Sequence, residues 1–352
     1  MKTLALDARP AQRPPHSFRR LLELMSVAAK SVDLPHQLWT DGPLHPECES
    51  FSQLVQPFPQ PEDVDASTVM WCLTPDAPPI DHVPYISMIC DVNPLLPDGR
   101  SRLHRWRRGR EFRAKVHRAL QSCWKIATDS EDAGRRLIAE FPGMESKLHV
   151  IPLYASPSLQ PVPVDEQQAV LHELGLEPGF IFFVGSFRRH KNWQGLIKSY
   201  ALLPEALRIR HPLVFSGAIR RDMGQAQRLI HDLEIAPTVH FLGETPESCL
   251  PTLYSAASLF VFPSYMEGFG LPPLEAMQCG TPVIASDRTS IPEVLGKAAR
   301  YIDPDDAPGM ARAMEEVLGD PDLQQRMQEA GLAQAATFNP ARTGEAILTM
   351  LR

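Results

Sequence analysis

Several things are scarce in this 352-residue chain. Cysteine occurs six times, at positions 48, 72, 90, 123, 249 and 279, with no CxxC pair and no disulfide-scaffold spacing. That argues against a structural zinc site and against a small disulfide-stapled module. Long apolar runs are missing: residues 180–184 and 259–262 are typical of the longest, far short of the roughly 18–20 residues a spanning helix requires. The opening MKTLALDARP reaches Asp7 before a secretory apolar region can form, so a reducing cytoplasm is the expected setting. A basic excess is missing as well. Lys+Arg number 35 against 42 Asp+Glu, and residues 1–150 balance at 19 and 19, which is not the footprint of a nucleic-acid binder. Glycine is absent before Gly42, so the first strand-to-helix turn has no flexible phosphate loop.

What is present is an ordinary soluble composition, 43% hydrophobic and 22% charged, long enough for about two domains. Short apolar runs at 3–6, 69–73, 85–89 and 124–127, then at 180–184, 213–215, 239–242, 259–262 and 282–285, alternate with amphipathic stretches. Bounded by turn residues, they read as buried parallel strands in repeated βαβ units. The expected fold class is α/β, with two doubly wound, Rossmann-like domains facing across a cleft. Pro157, Pro161 and Pro163 mark a linker at 157–166. It would separate an N-terminal domain, 1–156, from a C-terminal domain, 167–335. A last helix, 336–352, is expected to cross back to the N-domain. Ligands of such sheets gather outside the carboxyl ends of the strands.

The most informative segment is 260–286, FVFPSYMEGFGLPPLEAMQCGTPVIAS. A strand, a loop with Glu267-Gly268-Phe269-Gly270 and a helix opened by Pro272-Pro273 make an anion-ready helix N-terminus. The eight-residue spacing aims Glu267 and Glu275 at one strand-end region, where one carboxylate can serve a reacting sugar and the other hold a diol. The plainer alternative is a corner with a solvated Glu267 and a surface Glu275. A second cluster, Arg188, Arg189, His190 and Lys191, follows the strand that stops at Gly185. Positive charge there suits a departing diphosphate, and the alternative is a solvated basic turn.

Together these segments resemble the family 4 retaining glycosyltransferases, which have the GT-B fold and need no metal. The similarity spans roughly residues 120–335 and is most specific over 258–293, where GFGLPPLEAMQCGTPVIAS is similar to the bacterial cell-surface polysaccharide mannosyltransferase-like branch. The resemblance implies that Glu275 binds the nucleotide's ribose hydroxyls and that Glu267 lies beside the transferred sugar. It implies that the amides of Gly268, Phe269, Gly270 and Leu271 meet sugar and diphosphate, and that Lys191 binds the diphosphate. Gly185, Ser186 and Arg188 would complete the donor loop, with Gly243 near the base. The expected co-substrate is GDP-mannose or a UDP-sugar, with no other cofactor. Three departures stand out. Ser186 occupies a position where members often place Arg, so Arg188 or Arg189 would stand in. Cys90 precedes Asp91 where members carry His, and Asp91 remains the candidate for acceptor positioning or proton acceptance. The first loop, LDARPAQRPPHSFRR, offers Arg9, Arg13 and His16 in place of glycines.

Asp63-Val-Asp65 and Asp303-Pro-Asp305 mimic a metal-binding DxD, but neither follows a convincing strand in the sequence and both read as turns. No histidine pair has ligand spacing, and no metal is assigned. Residues 100–125 hold ten Lys or Arg against the single acid Glu111, with Trp106 among them. A basic strip of this kind predicts peripheral contact with the anionic inner leaflet and a glycan or lipid-diphosphate-linked acceptor. The reading is a retaining hexosyltransferase of surface polysaccharide synthesis. Its rivals are a sugar-nucleotide epimerase of the same fold and a catalytically silent sugar-nucleotide-binding partner subunit.

Overall fold

The computed structural model describes residues 2–9, 16–42, 54–75, 82–96, 101–218 and 223–352, and it divides into two compact units. The first comprises Met1–Tyr154 and Phe338–Arg352, the second Ala155–Thr337. The division thus falls two residues before the expected end of the N-domain. The segment expected as linker already turns helical at Val164, because Pro163 sits at the N-cap, where its missing N–H is no loss.

The first unit is a seven-stranded, wholly parallel sheet. Its strands are β1 (Thr3–Asp7), β2 (His36–Thr40), β3 (Val55–Pro57), β4 (Thr68–Cys72), β5 (Tyr85–Met88), β6 (Lys125–Thr128) and β7 (Leu148–Val150), in the order β3-β2-β1-β4-β5-β6-β7. Every residue of β4 and β5 is buried, as central strands covered on both faces require. The helices are α1 (His16–Ser31), α2 (Arg102–Ser122), α3 (Glu131–Glu140) and a terminal one described below.

The second unit is a six-stranded parallel sheet in the order β10-β9-β8-β11-β12-β13. Its strands are β8 (Ile181–Val184), β9 (Leu213–Ser216), β10 (Val239–Gly243), β11 (Leu259–Phe262), β12 (Val283–Ser286) and β13 (Arg300–Ile302). Its helices are α4 (Val164–Glu173), α5 (Trp193–Ala201), α6 (Glu205–Arg210), α7 (Met223–Asp232), α8 (Leu250–Ala256), α9 (Leu271–Gln278), α10 (Ile291–Leu295), α11 (Ala307–Gly319) and α12 (Pro321–Ala336). One face of the sheet packs Ile181, Phe183, Phe215 and Val261 against Trp193, Leu196, Met310 and Met314, all buried. Full burial of each such side chain contributes about 1.5–3 kcal/mol. In both sheets the chain order reverses beside the central pair, at β1/β4 and at β8/β11, which is where open α/β sheets bind ligands.

The chain then returns to the first unit as α13 (Pro340–Leu351). Asn339 caps it by accepting Arg342 N at 3.0 Å. Ile347, Met350 and Leu351 are buried, and Thr343 Oγ1 donates to Pro152 O at 2.6 Å. Lys2 and Lys125 donate to the last carbonyls, of Leu351 and Met350, and so complement the negative end of the helix. Gly344 is needed against α1, since a Cβ there would sit 2.5 Å from Ala28 O. Among the described residues no helix is long and apolar enough to cross a membrane.

Candidate functional site

In the second unit β8 stops at Val184, and a loop through Gly185, Ser186 and the exposed Arg188 leads to a 3₁₀ turn at Arg189–Lys191. Asn192 holds a left-handed φ of 51° while its buried Nδ2 donates to Pro304 O at 2.7 Å, which fixes the end of that turn. Lys191 Nζ lies 4.9 Å over the Phe262 ring and donates to Glu267 Oε1 at 2.7 Å. Both side chains are largely buried, 14% and 11% exposed, so neither Glu267 nor Lys191 is solvated, whereas Arg188 and Arg189 of the basic turn are exposed. A buried ion pair loses in desolvation about what it gains in attraction. This one is better understood as poised charge than as a stabiliser of the fold.

The loop carrying Glu267 is held by two residues absent from the sequence reading. Glu267 N donates to Thr289 Oγ1 at 3.1 Å, and Ser290 Oγ lies 3.2 Å from Glu267 O and 3.0 Å from Phe269 O. Nothing in the pattern of 287–291 marks these hydroxyls, because they act from another element. Gly270, at φ 103°, then turns the chain into α9, with Gly268 and Phe269 buried and Leu271 half-buried at the helix start. Backbone also meets backbone across the strand ends. Gly185 N donates to Ser216 O and Gly217 N to Gly243 O at 2.7 Å, and a Cβ on Gly217 would lie 2.1 Å from Gly185 O. Only glycine allows this shelf.

Glu275 sits inside α9, 1% exposed, and its Oε2 accepts the Tyr254 hydroxyl at 2.9 Å. It is not a surface residue. Tyr254 itself packs edge-on against Phe182 and Phe260, each at 5.4 Å. In the sequence Tyr254 is one more core aromatic of α8, which is why its polar role was not legible. The second unit therefore links Gly243, Gly217, Gly185, Lys191 and Glu267 by direct contacts, with Glu275 held separately by Tyr254, while Ser186 and Arg188 lie on the same loop as Lys191.

Asp91 belongs to the first unit, just past β5. Asn93 grips it from backbone N at 2.8 Å and Nδ2 at 2.7 Å. Arg108 of α2 donates to the carbonyls of Asn93, Pro94 and Leu96, so one of the ten basic residues holds the Asp91 turn. Arg113 pairs with Glu140, Lys115 with Glu111, and Lys125 with the end of α13. Among the described residues the basic surface is densest at the first turns of α2, where Leu103 and Trp106 are exposed beside Arg102, Arg107 and Arg110, and Arg110 stacks on Trp106; Arg113 and Arg118 are exposed further along the helix. Phe112, Val116 and Ala119 are buried, and Leu120 is half-buried. Cys90 is hydrogen-bonded to Asp129, which is 4% exposed. Burial, reinforced by the two aspartates, pushes the Cys90 thiol well above its usual range. Arg9 binds the buried Asp7 in a fork at 2.9 and 2.7 Å. Arg13 and the side chain of His16 lie outside the described residues.

Both DxD patterns are turns. Asp65 Oδ1 accepts Ser67 N at 2.7 Å, and Asp303 Oδ1 accepts Asp305 N and Arg288 Nη2. Asp303 does follow a strand, β13, contrary to the expectation that it would not; three residues were too few to read as one. Among the described residues no group of three or more His, Cys, Asp or Glu could hold a metal ion.

Residues 166–334 match the family of glycosyl transferases group 1. The chain is 34% identical over 233 residues to O-antigen chain mannosyltransferase B of Escherichia coli, covering 66% of this chain and 61% of that one. To the serotype-specific mannosyltransferase WbdA of Escherichia coli it is 36% identical over 180 residues, 50% of this chain and 22% of that one. The chain thus spans less than two thirds of the length of the first relative and about a fifth of the second. The crystal structure of Anabaena Alr3699/HepE in complex with UDP-glucose superposes with a TM-score of 0.78 at 18% identity, covering 100% of this chain and 99% of that one. Two parallel-sheet Rossmann-like domains with that likeness establish the GT-B α/β fold, and the second of them carries the glycosyl transferases group 1 match.

Proposed function

We propose that the protein is a retaining hexosyltransferase that moves mannose from GDP-mannose to a glycan or lipid-linked acceptor during surface polysaccharide synthesis. The observation that carries this is the Lys191–Glu267 pair at the carboxyl edge of the second sheet, beside a glycine shelf and followed eight residues later by the buried Glu275. The mannosyltransferase relatives and their O-antigen context support the sugar and the setting.

In this reading Glu275, oriented by Tyr254, accepts hydrogen bonds from the ribose hydroxyls. Gly185, Ser186, Arg188 and Gly243 let backbone and cations approach the nucleotide. The diphosphate takes Lys191 from Glu267 and meets the amides of residues 268–271 at the start of α9. Glu267 then faces the sugar, whose C1 gains positive character as the C1–O bond to the diphosphate breaks. The acceptor oxygen attacks from the same face, and its proton passes to the leaving diphosphate oxygen. Asp91 positions the acceptor hydroxyl. Fixed donors aimed at the growing charge are the protein's main contribution, and with Lys191 and the amides on the diphosphate no divalent ion is required.

The acceptor's surroundings follow from α2. Its first turns, Arg102, Arg107 and Arg110 with Leu103 and Trp106, rest on the anionic inner leaflet at about 1 kcal/mol per basic residue near the surface. Co-sedimentation with phosphatidylglycerol vesicles that is lost at high salt, and lost in R107E/R110E, supports this. Equal recovery from neutral vesicles contradicts it.

Thermal shifts with GDP-, UDP- and dTDP-sugars, followed by transfer from radiolabelled GDP-mannose to methyl α-mannoside, test the whole reading. GDP-mannose should stabilise by about 2.7 kcal/mol at a hundred times its Kd, and the product should keep the donor's anomeric configuration without added metal. Donor consumption with no acceptor product would point to an epimerase instead.

A further inference from the structure

At the ends of β5 and β6 the first unit holds a carboxyl group that the proposed reaction has not used. Parallel pairing sets Met88 beside Ala127, and Ile89 N donates to Ala127 O. With the two-residue side-chain period, Cys90 and Asp129 therefore stand side by side on one face of the sheet edge. The Asp129 carboxyl is 4% exposed and hydrogen-bonded to the Cys90 thiol, while its Oδ1 has no hydrogen-bond partner among the described residues. Its neighbours are Cys90 and Asp91 from the end of β5 and Arg136 from α3, and Arg136 is engaged by Asp132 at 2.7 Å. An ionised carboxylate with an unbonded oxygen in such a place, next to a second carboxylate, is strongly disfavoured, whereas a neutral carboxylic acid is tolerated.

We propose that Asp129 is a positioning residue for Asp91: it keeps its proton at neutral pH, so that the pair carries a single negative charge, on Asp91, and offers one accepting carboxylate to a neutral sugar hydroxyl. This rests on the assignment of Asp91 to the acceptor and deepens it. Burial first, then the Asp91 charge, raises Asp129 well above the usual carboxylate range, in agreement with the packing. Ionising Asp129 would set a second like charge at the edge and displace Asp91 from the geometry that Asn93 holds.

The sign of the pH dependence follows. Between the ordinary carboxylate range and the raised one, folded Asp129 holds a proton that the unfolded chain has lost, so stability falls as pH rises through that window. Asp129→Asn preserves shape and removes the titration. In the full-length protein its melting temperature relative to the parent should therefore climb as pH rises above the ordinary carboxylate range. Its rate of transfer from GDP-mannose to methyl α-mannoside should stay within about threefold of the parent at neutral pH and lose the parent's alkaline decline. Parallel melting curves or superimposable rate profiles would overturn the proposal. Carbon NMR of carboxyl-labelled aspartate in the parent supplies a readout that needs no variant: one protonated carboxyl at neutral pH is expected, and none would overturn it. Asp91→Asn separates the two claims. If that variant transfers mannose as fast as the parent, the assignment of Asp91 fails even while the proton on Asp129 is observed.

Discussion

The carboxyl edges of the two sheets follow opposite plans. In the second unit, glycines at 185, 217 and 243 strip the strand ends to backbone, and the buried carboxylates have specified partners, Glu267 with Lys191 and Glu275 with Tyr254. In the first unit, strands β1, β4, β5 and β6 end in side chains: Asp7 forked by Arg9, Cys72, then Cys90 with Asp91, and Asp129. Bare backbone with a poised cation suits a diphosphate and a sugar ring pressed against it. An acid-lined edge suits a neutral hydroxylated group and repels an anion. In the proposed function this difference favours the donor at the second edge and the acceptor at the first.

The largest expected effect that would break this comparison is at Glu267. Glu267→Gln should lower turnover with GDP-mannose by about a hundredfold or more, as loss of one preorganised charge near a transition state does. Nucleotide affinity should hold or tighten, since Lys191 is released. Steady-state kinetics beside GDP titration decides it, and an unchanged turnover would remove Glu267 from the chemistry. Next is the glycine shelf. Gly217→Ala puts a Cβ 2.1 Å from Gly185 O at a φ of 135°, a strain of about 2–4 kcal/mol. Thermal unfolding should shift down by about 5–10 °C and GDP binding should weaken; a variant that melts with the parent would show that the shelf is not required. Smallest is Tyr254→Phe, which withdraws one hydroxyl from a carboxylate 1% exposed. It should weaken GDP by about three- to tenfold, near 1 kcal/mol, with turnover at saturation unchanged. Loss of turnover with affinity intact would contradict a positioning role.

Much of the second edge was legible because it is written in consecutive residues. Glu267, Gly270 and Glu275 sit in one strand-loop-helix, and Lys191 follows its strand directly, so spacing alone put them near strand ends. Where contacts come from distant elements the sequence was silent. Thr289 and Ser290 hold Glu267 from beyond β12, and Tyr254 reaches Glu275 from a helix that looked like plain core. Asp129 precedes the cap residue Ser130 and reads as ordinary helix-start chemistry until the fold buries it beside Cys90. Strands β2 and β3 were not seen because HQLWT mixes polar with apolar residues and VQP ends in proline, while β13 is only three residues long. The basic stretch 100–125 was read whole, yet Arg108, Arg113, Lys115 and Lys125 are committed within the fold.

The central claim is the division of labour between the two carboxylates of the second edge, and calorimetric titration of GDP against the parent, Glu275→Ala and Glu267→Ala tests it most directly. Removing Glu275 leaves the ribose hydroxyls without their acceptor and should weaken GDP by about 1.5–3 kcal/mol, roughly 10- to 150-fold in Kd. Removing Glu267 should leave GDP affinity at or above that of the parent. Equal losses in the two variants, or undiminished affinity in Glu275→Ala, would contradict the account.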